Sequence, residues 1–153
     1  MRFNHRNMDE TPYPFSTEPI EIQYSFKSVS DAKIVKKVVR LTETNLPTVF
    51  NLALLDVLYD GTESDLSVTN NDDLRTVLAT VMKIIDHFLV KFPDKVVTFR
   101  GSDDRRTRLY RIVISRELGA IQQRYIVLGG IGDDHFEVFH PNVNYDRFFV
   151  LLR

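Results

Sequence analysis

The sequence predicts an α+β fold, in which a largely antiparallel curved sheet of about six to seven strands packs on one long amphipathic helix, with a second, arginine-rich helix beside it. Two observations predict this fold. Segments in which apolar and polar residues alternate, the period of a strand, occur in runs towards both ends of the chain. Between these runs lies a segment with apolar residues at every third or fourth position, the period of a helix. Strands grouped apart from helices are typical of antiparallel α+β domains.

The first run of predicted strands precedes the long helix. Residues 22–27 alternate apolar and polar side chains, and residues 34–43 are rich in β-branched side chains. A third strand begins at Thr48 and ends before the Asp-Gly turn signal at 60–61. Because this strand is almost continuously apolar, we expect it to be buried on both faces. The loop that follows contains a candidate edge strand at residues 65–69.

The clearest element is a long helix at residues 71–92. Its apolar face consists of Leu74, Val77, Leu78, Val81, Met82, Ile85, Phe88, Leu89 and Phe92. Two aspartates in the first turn complement the positive end of the helix dipole, and Pro93 ends the helix. We expect this helix to form the centre of the core.

A strand at residues 95–100 and a second helix at residues 103–118 follow. Ser102 is placed to cap this helix, two aspartates occupy its first turn, and Gly119 lies just past its end. The alternative for the same segment is a strand, because every second residue from 110 to 114 is apolar. The capping pattern favours the helix.

Three strands complete the predicted fold, at residues 124–129, 135–140 and 145–152. The glycine-rich segment 129–132 lies between the first two of them. No helix follows it, so it lacks the dipole that a phosphate-binding loop uses. We therefore interpret it as a hairpin turn.

The composition predicts one soluble domain. The chain has 153 residues and a formal net charge of -1, which gives it no general attraction to nucleic acids or anionic membranes. Three prolines among the first 20 residues predict a flexible arm at residues 1–20, followed by a single domain at residues 21–153. The chain has no cysteine and no apolar stretch typical of a secretory signal or a membrane helix. We expect a cytoplasmic protein that does not bind membranes.

Three segments carry a family resemblance: "NNDDLRTVLATVMKII", "VTFRGSDDRRTRLYRIVIS" and "NYDRFFVLLR". The most recognisable residues are Gly101, Ser102, Arg106, Thr107, Arg108, Leu109, Tyr110 and Arg111. From about Tyr24 onward, the chain resembles a family of small bacterial proteins classed only as a domain of unknown function. The resemblance implies a compact α+β domain of this length, and it implies no established activity, substrate or catalytic residue.

The arginine-rich stretch is the strongest candidate for a binding site. Residues 100–116 hold six arginines against two aspartates. Because the stretch begins between a strand end and a helix start, backbone N–H groups, the helix dipole and planar guanidiniums can together receive an anion there. The residues of this candidate anion site are Gly101, Ser102, Arg105, Arg106, Arg108 and Arg111.

Two other interpretations of the arginines stay open at this stage. Residues 56–73 contain six acidic residues and no lysine or arginine. Arginines on a neighbouring helix could pair with these acids, in which case their role is structural. Alternatively, the arginines belong to a protein interface.

The sequence favours a binding protein over an enzyme, because no set of acid–base residues converges in it. We expect a phosphate-bearing ligand, either RNA or a nucleotide. The first alternative is a non-catalytic module that binds a protein partner or a second copy through a sheet edge or through the strand at 145–152. The second is a metal-independent RNase-like toxin, in which Tyr110 or His135 would stack on a base or transfer a proton.

We expect neither a metal nor a cofactor. Asp133, His135 and Glu137 share one face of a predicted strand, but a metal site needs three or four ligands that converge on one point. The adjacent aspartate pairs open helices, where the helix dipole explains them. No catalytic residue is assigned.

Overall fold

The computed structural model describes residues 10–17, 22–29, 33–64 and 71–153. The strands are β1 (Phe15–Thr17), β2 (Gln23–Val29), β3 (Ile34–Glu43), β4 (Val49–Val57), β5 (Glu63–Ser64), β6 (Val96–Phe99), β7 (Tyr125–Ile131), β8 (His135–Val138) and β9 (Arg147–Leu152). The helices are α1 (Asn71–Lys91) and α2 (Asp104–Ile121).

The strands form one sheet in the order β1-β2-β3-β4-β6-β9-β7-β8, and β5 pairs with β4 beside this path. Neighbouring strands are antiparallel, except that β4 and β6 run parallel. α1 lies in the connection between these two strands, since parallel neighbours need a long crossover. The predicted α+β fold with a largely antiparallel sheet is confirmed, and the short strands β1 and β5 extend it beyond the predicted number of strands.

Both helices pack on one face of the sheet, here called the front face. The side chains of α1 that are fully buried against it are Val77, Ile84, Ile85, Phe88 and Leu89. Complete burial of an apolar side chain of this size contributes about 1.5–3 kcal/mol. α1 is therefore the centre of the core, as its apolar spacing predicts. Neither helix in the described part of the chain is long and apolar enough to cross a membrane.

α2 differs from its prediction at both ends. Asp103, and not Ser102, caps it, because the Asp103 carboxylate accepts a hydrogen bond from the Arg106 N–H at 2.8 Å. A charged acceptor binds the N-terminal N–H groups more strongly than a hydroxyl does. The helix also continues through Gly119, since Gln122 closes it in an ordinary right-handed conformation that requires no glycine. The alternative of a strand in this segment is wrong.

β4 is less buried than its sequence predicts. Only Leu52 and Asp56 among its residues are buried, and the others are partly exposed. The prediction that both faces are buried is wrong, because the helices cover only the front face and because one edge of β4 borders a crevice. The edge strand expected at residues 65–69 lies outside the described residues.

Part of the N-terminal segment packs on the sheet. The ring of Tyr13 stacks on Phe26 with 6.0 Å between the ring centroids. β1 pairs with β2 in an antiparallel register. Residues 1–9 and 18–20 lie outside the described residues, so the boundary expected at residue 20 stays a prediction.

A buried ion pair joins β3 and β4 on the front face. Lys37 and Asp56 lie directly opposite each other in the register of the two strands. The distance from Nζ to Oδ1 is 2.5 Å, and the two side chains are 3% and 8% exposed. Because each buried charge loses its hydration, each depends on the other for compensation.

We predict that Lys37→Met destabilises the protein by about 3–5 kcal/mol, because it leaves the Asp56 carboxylate buried without a cation. The double variant Lys37→Met plus Asp56→Leu should recover most of this loss, since an apolar pair of similar volume removes both desolvation penalties. Urea unfolding measures the free energies. Lys36→Met is the matched control, because Lys36 is exposed on the opposite face. A loss for Lys37→Met no larger than that of the control would contradict this account.

Candidate functional site

A crevice of about 510 Å³ opens where the parallel pair of β4 and β6 ends. β6 stops at Phe99, whereas β4 continues to Val57. After β6 the chain turns through residues 100–103 into α2, and the start of β9 lies on the far side. The volume falls in the range of small-molecule sites, roughly 300–1,000 Å³. Crevices at the carboxyl ends of parallel strands are the usual binding position in α/β sheets.

The edge of β4 forms one wall of the crevice. Residues 51–55 all line it. Since successive side chains point to opposite faces of a sheet, five consecutive lining residues indicate that the strand edge itself faces the crevice. β4 pairs with β6 as far as Asn51 and with β5 from Asp56 onward. Between these two points, no described strand covers this edge.

The backbone of Leu54 points into this gap. On the β3 side of the strand, the Val49 carbonyl accepts a hydrogen bond from Thr44 N. On the β6 side, the Thr48 carbonyl accepts one from Val96 N. Because backbone polar groups alternate between the two edges of a strand, even-numbered residues of β4 direct theirs towards β6. The N–H and C=O of Leu54 therefore face the crevice.

Two arginines line the crevice, Arg100 at its β6 side and Arg147 at the start of β9. Arg147 is half-buried, and its Nη1 donates a hydrogen bond to the Thr98 hydroxyl at 3.0 Å. Burial, and next the positive charge of Arg100, lower the pKa of the Arg147 guanidinium. Arg100 is exposed, and within the described part of the chain it forms no hydrogen bond or ion pair. The two guanidiniums therefore repel each other across one concave surface.

Three aspartates also line the crevice, and two of them are engaged within the protein. Asp103 caps α2 and forms an ion pair with Arg106, with 2.5 Å between Oδ2 and Nη1. The Asp146 carboxylate accepts a hydrogen bond from Gly132 N at 2.8 Å. Asp104 is exposed in the first turn of α2. The crevice lining therefore contains both positive and negative side chains. Two of its three aspartates bind protein groups, whereas the described hydrogen bond of Arg147 goes to a neutral hydroxyl and Arg100 is exposed.

The structure separates the roles of Gly101 and Ser102. The N–H of Gly101 donates a hydrogen bond to the Thr107 hydroxyl at 3.0 Å. A Cβ at Gly101 would lie 2.4 Å from the backbone nitrogen of Thr107. This glycine is therefore needed for the close packing of the turn against α2, and its N–H is occupied. Ser102 does not cap α2, and it is exposed and lines the crevice.

The four arginines of α2 that the sequence assigns to the candidate site do not converge. Arg105 and Arg108 are exposed on the helix surface, and neither lines the crevice. Arg106 pairs with the capping Asp103. Arg111 donates a hydrogen bond to the side chain of Asn144 in the loop before β9. The arginines that share a concavity are Arg100 and Arg147 instead.

The acids of residues 56–73 have other partners. Asp56 pairs with Lys37, and Glu63 pairs with Arg40 at 2.8 Å. Asp73 accepts hydrogen bonds from the hydroxyls of Ser28 and Tyr13. Among the acids whose side chains the structure describes, none forms an ion pair with an arginine of α2, so the structural pairing considered for these arginines is wrong for those acids.

Tyr110 and His135, the two proton-transfer candidates, lie in different places. Tyr110 lines the crevice, and burial raises the pKa of its hydroxyl. His135 lies on the edge strand β8, where its Nε2 is 2.8 Å from Glu137 Oε1. The hydroxyl of Tyr145 and next His135 lower the pKa of the Glu137 carboxyl. Among the described residues, no three histidine, aspartate or glutamate side chains are placed to hold a metal ion.

The C-terminal strand contributes to both faces of the sheet. Phe148 is fully buried in the front core, whereas Phe149 lies on the opposite face in edge-to-face contact with Phe136 of β8. Phe136 and Val138 are 50% and 53% exposed. β9, the strand considered for protein–protein contact, lies between β6 and β7 and has no free edge, so the sheet edge on this side is β8 with its two exposed apolar side chains.

Sequence reasoning missed Arg147 and the part of β4 that lines the crevice. The density of arginines drew attention to one stretch of chain, whereas the crevice combines residues from β4, the loop after β6 and β9. The one signal available was the Asp-Arg pair at 146–147 at the start of an apolar strand. Its position next to Arg100 follows from the pairing of β6 with β9, which sequence patterns do not specify.

We predict that the amide of Leu54 exchanges with solvent deuterium about tenfold faster, or more, than the amides of Ala53 and Leu55, because no strand among the described residues pairs with Leu54 on the β6 side. Ala53 and Leu55 face β3, opposite Arg40 and Val38. Exchange followed by ¹⁵N-resolved NMR makes the comparison within one strand. Equal protection of the three amides would show that this edge of β4 is covered.

Comparison with known proteins identifies the family but no activity. Neither the curated proteins nor the solved structures include a match to this chain. The model of a family of unknown function (DUF6934) matches residues 9–153, which is nearly the whole chain. The resemblance noted in the sequence is thereby confirmed, and the protein belongs to this family of unknown function.

Proposed function

We propose that this protein binds a phosphate-bearing small molecule of nucleotide size in the crevice beside the end of β6. The observation that carries the proposal is the guanidinium of Arg147. It is half-buried and forms no ion pair in the described part of the chain. The like charge of Arg100 acts on its pKa more strongly than the carboxylates of Asp146 and Asp133 do. A partly desolvated cation beside a like charge is unfavourable unless an anion joins them. Perturbed charges of this kind in a cleft are typical of ligand sites.

The other groups of the crevice suit a phosphate. Planar guanidiniums bind phosphate oxygens through pairs of parallel hydrogen bonds, and Arg100 and Arg147 supply two of them. The exposed hydroxyl of Ser102 is an additional donor on the same lining. The start of α2 is already capped by the Asp103 carboxylate, so a phosphate there would depend on the side chains and not on the helix dipole.

The crevice is favoured over the surfaces that the alternatives would use. Arg105 and Arg108 lie on an open helix surface, where attraction to RNA is weak and strongly screened by salt. The edge of β8 offers exposed apolar contacts through Phe136 and Val138, and the strand is only four residues long. An RNase-like mechanism gains no support, because Tyr110 lines the crevice and His135 does not.

Titration calorimetry with AMP at low salt tests the proposal. We predict that the variant Arg100→Ala plus Arg147→Ala binds AMP about tenfold more weakly or worse, because each charge-assisted hydrogen bond contributes roughly 1.5–3 kcal/mol. Binding to the unaltered protein should weaken as salt rises.

The matched control is Arg105→Ala plus Arg108→Ala, which removes the same charge from the exposed surface of α2. It should leave the affinity for AMP within about twofold, as expected for screened surface charges. An equal loss of affinity in both double variants would mean that the exposed arginines of α2 contribute to AMP binding as much as those of the crevice, and it would contradict a site in the crevice. If the unaltered protein does not bind AMP, the proposal is wrong.

A further inference from the structure

We infer that the protein has a second binding site, a cavity beside β2 in which Lys27 and Lys36 hold a carboxylate that carries an apolar body. The cavity has a volume of about 450 Å³, within the range of small-molecule sites. It lies between residues 13–15 and the edge of β2. No described residue lines both this cavity and the crevice, so the inference does not depend on the proposed phosphate site.

The cavity opens at Pro14, where the pairing of β1 with β2 ends. The last described pair of this ladder is Phe15 with Phe26. Pro14 comes next, and it has no N–H to donate to β2. Tyr13 then contacts β2 again, because its hydroxyl accepts a hydrogen bond from the Val29 N–H at 3.1 Å and lies 3.0 Å from the Val29 carbonyl oxygen. The cavity is therefore preformed, with protein contacts at both ends.

Two lysines lie opposite each other at this cavity. Lys27 of β2 and Lys36 of β3 are direct partners in the register of the two strands, and both line the cavity. Side chains so paired have Cβ atoms about 4.5–5.5 Å apart, at which like charges repel. Both lysines are exposed, and in the described part of the chain neither forms a hydrogen bond or an ion pair. An anion between the two ammonium groups would relieve their repulsion.

The rest of the described lining suits an apolar body. It includes the rings of Tyr13 and Phe15 and the side chain of Val29, which is 51% exposed. A ligand that covers these groups removes apolar surface from water. The neutral polar side chains of the described lining, Tyr13 and Ser25, already have partners within the protein. A ligand rich in hydroxyl groups, such as a sugar, would therefore find few partners here.

The short open length of β2 favours a small molecule over an acidic peptide. From the last rung at Phe26 to the contact of Tyr13 with Val29, the strand spans about 10 Å at roughly 3.3 Å for each residue. An added peptide strand of typical length spans roughly 17–20 Å. Because both ends of the cavity are closed by protein contacts, an extended peptide could not continue along this edge.

Naphthalene-1-acetate is the probe that tests this inference, with two comparisons. Naphthalene-1-acetamide keeps the rings and loses the charge, whereas acetate keeps the charge and loses the rings. We expect each to bind about fivefold more weakly than naphthalene-1-acetate, or worse, in titrations at low salt. In ¹⁵N NMR, naphthalene-1-acetate should shift the amides of Lys27 and Val29 and leave the amide of Ser102 in the crevice unchanged.

The variant Lys27→Gln plus Lys36→Gln should bind naphthalene-1-acetate about fivefold more weakly, or worse, because it removes both cations. Its urea midpoint should not fall, since both side chains are exposed and repel each other. The matched control is Lys91→Gln plus Lys95→Gln, which removes the same charge outside the described lining of the cavity. This control should keep the affinity within about twofold.

Three results would overturn the inference: equal affinities for the acid and the amide, an equal loss in both double variants, or no binding of the acid at concentrations up to about 10 mM. Tighter binding of tetraglutamate than of naphthalene-1-acetate would also overturn it, in favour of an acidic peptide. Because the two sites share no described lining residue, Lys27→Gln plus Lys36→Gln should bind AMP as the unaltered protein does. The failure of either site therefore leaves the other open to its own test.

Discussion

The turn at Gly101 is the constraint on which the shape of this molecule depends. Its N–H bonds to the Thr107 hydroxyl at 3.0 Å, and a Cβ at this position would meet the backbone of Thr107 at 2.4 Å. This close approach places the start of α2 directly against the end of β6. The chain therefore leaves the sheet after only four residues of β6. β4 continues without that neighbour, and the crevice is the space that results.

The buried and half-buried charged side chains of this protein differ in their partners. In the interior, Lys37 pairs with Asp56, and Arg124 pairs with Asp86 at 2.7 Å. These pairs compensate the desolvation of each buried charge. Arg147 differs, because its described hydrogen bond goes to the neutral hydroxyl of Thr98, and the cation of Arg100 affects its pKa more than the carboxylates of Asp146 and Asp133 do. A bound anion would compensate Arg147 as the interior carboxylates compensate their partners.

The sequence specifies the local elements better than the site. Strand β3 has the bounds that its β-branched pattern predicts, and the apolar spacing of α1 predicts its length to within one residue. These elements follow from local periodicity, which the chain carries in itself. The site depends on strand order: Arg100 and Arg147 become neighbours only because β6 pairs with β9. The cap of α2 was misassigned since Ser102 and Asp103 are both good capping residues, and their competition is decided by the geometry of the turn.

The central claim is that the early end of β6 creates a ligand site from the edge of β4 and two arginines. A crystal structure of the protein with AMP tests it most directly. We predict phosphate oxygens within hydrogen-bond distance of Arg100 and Arg147. AMP bound on the surface of α2 at Arg105 and Arg108, with the crevice occupied only by solvent, would contradict the account.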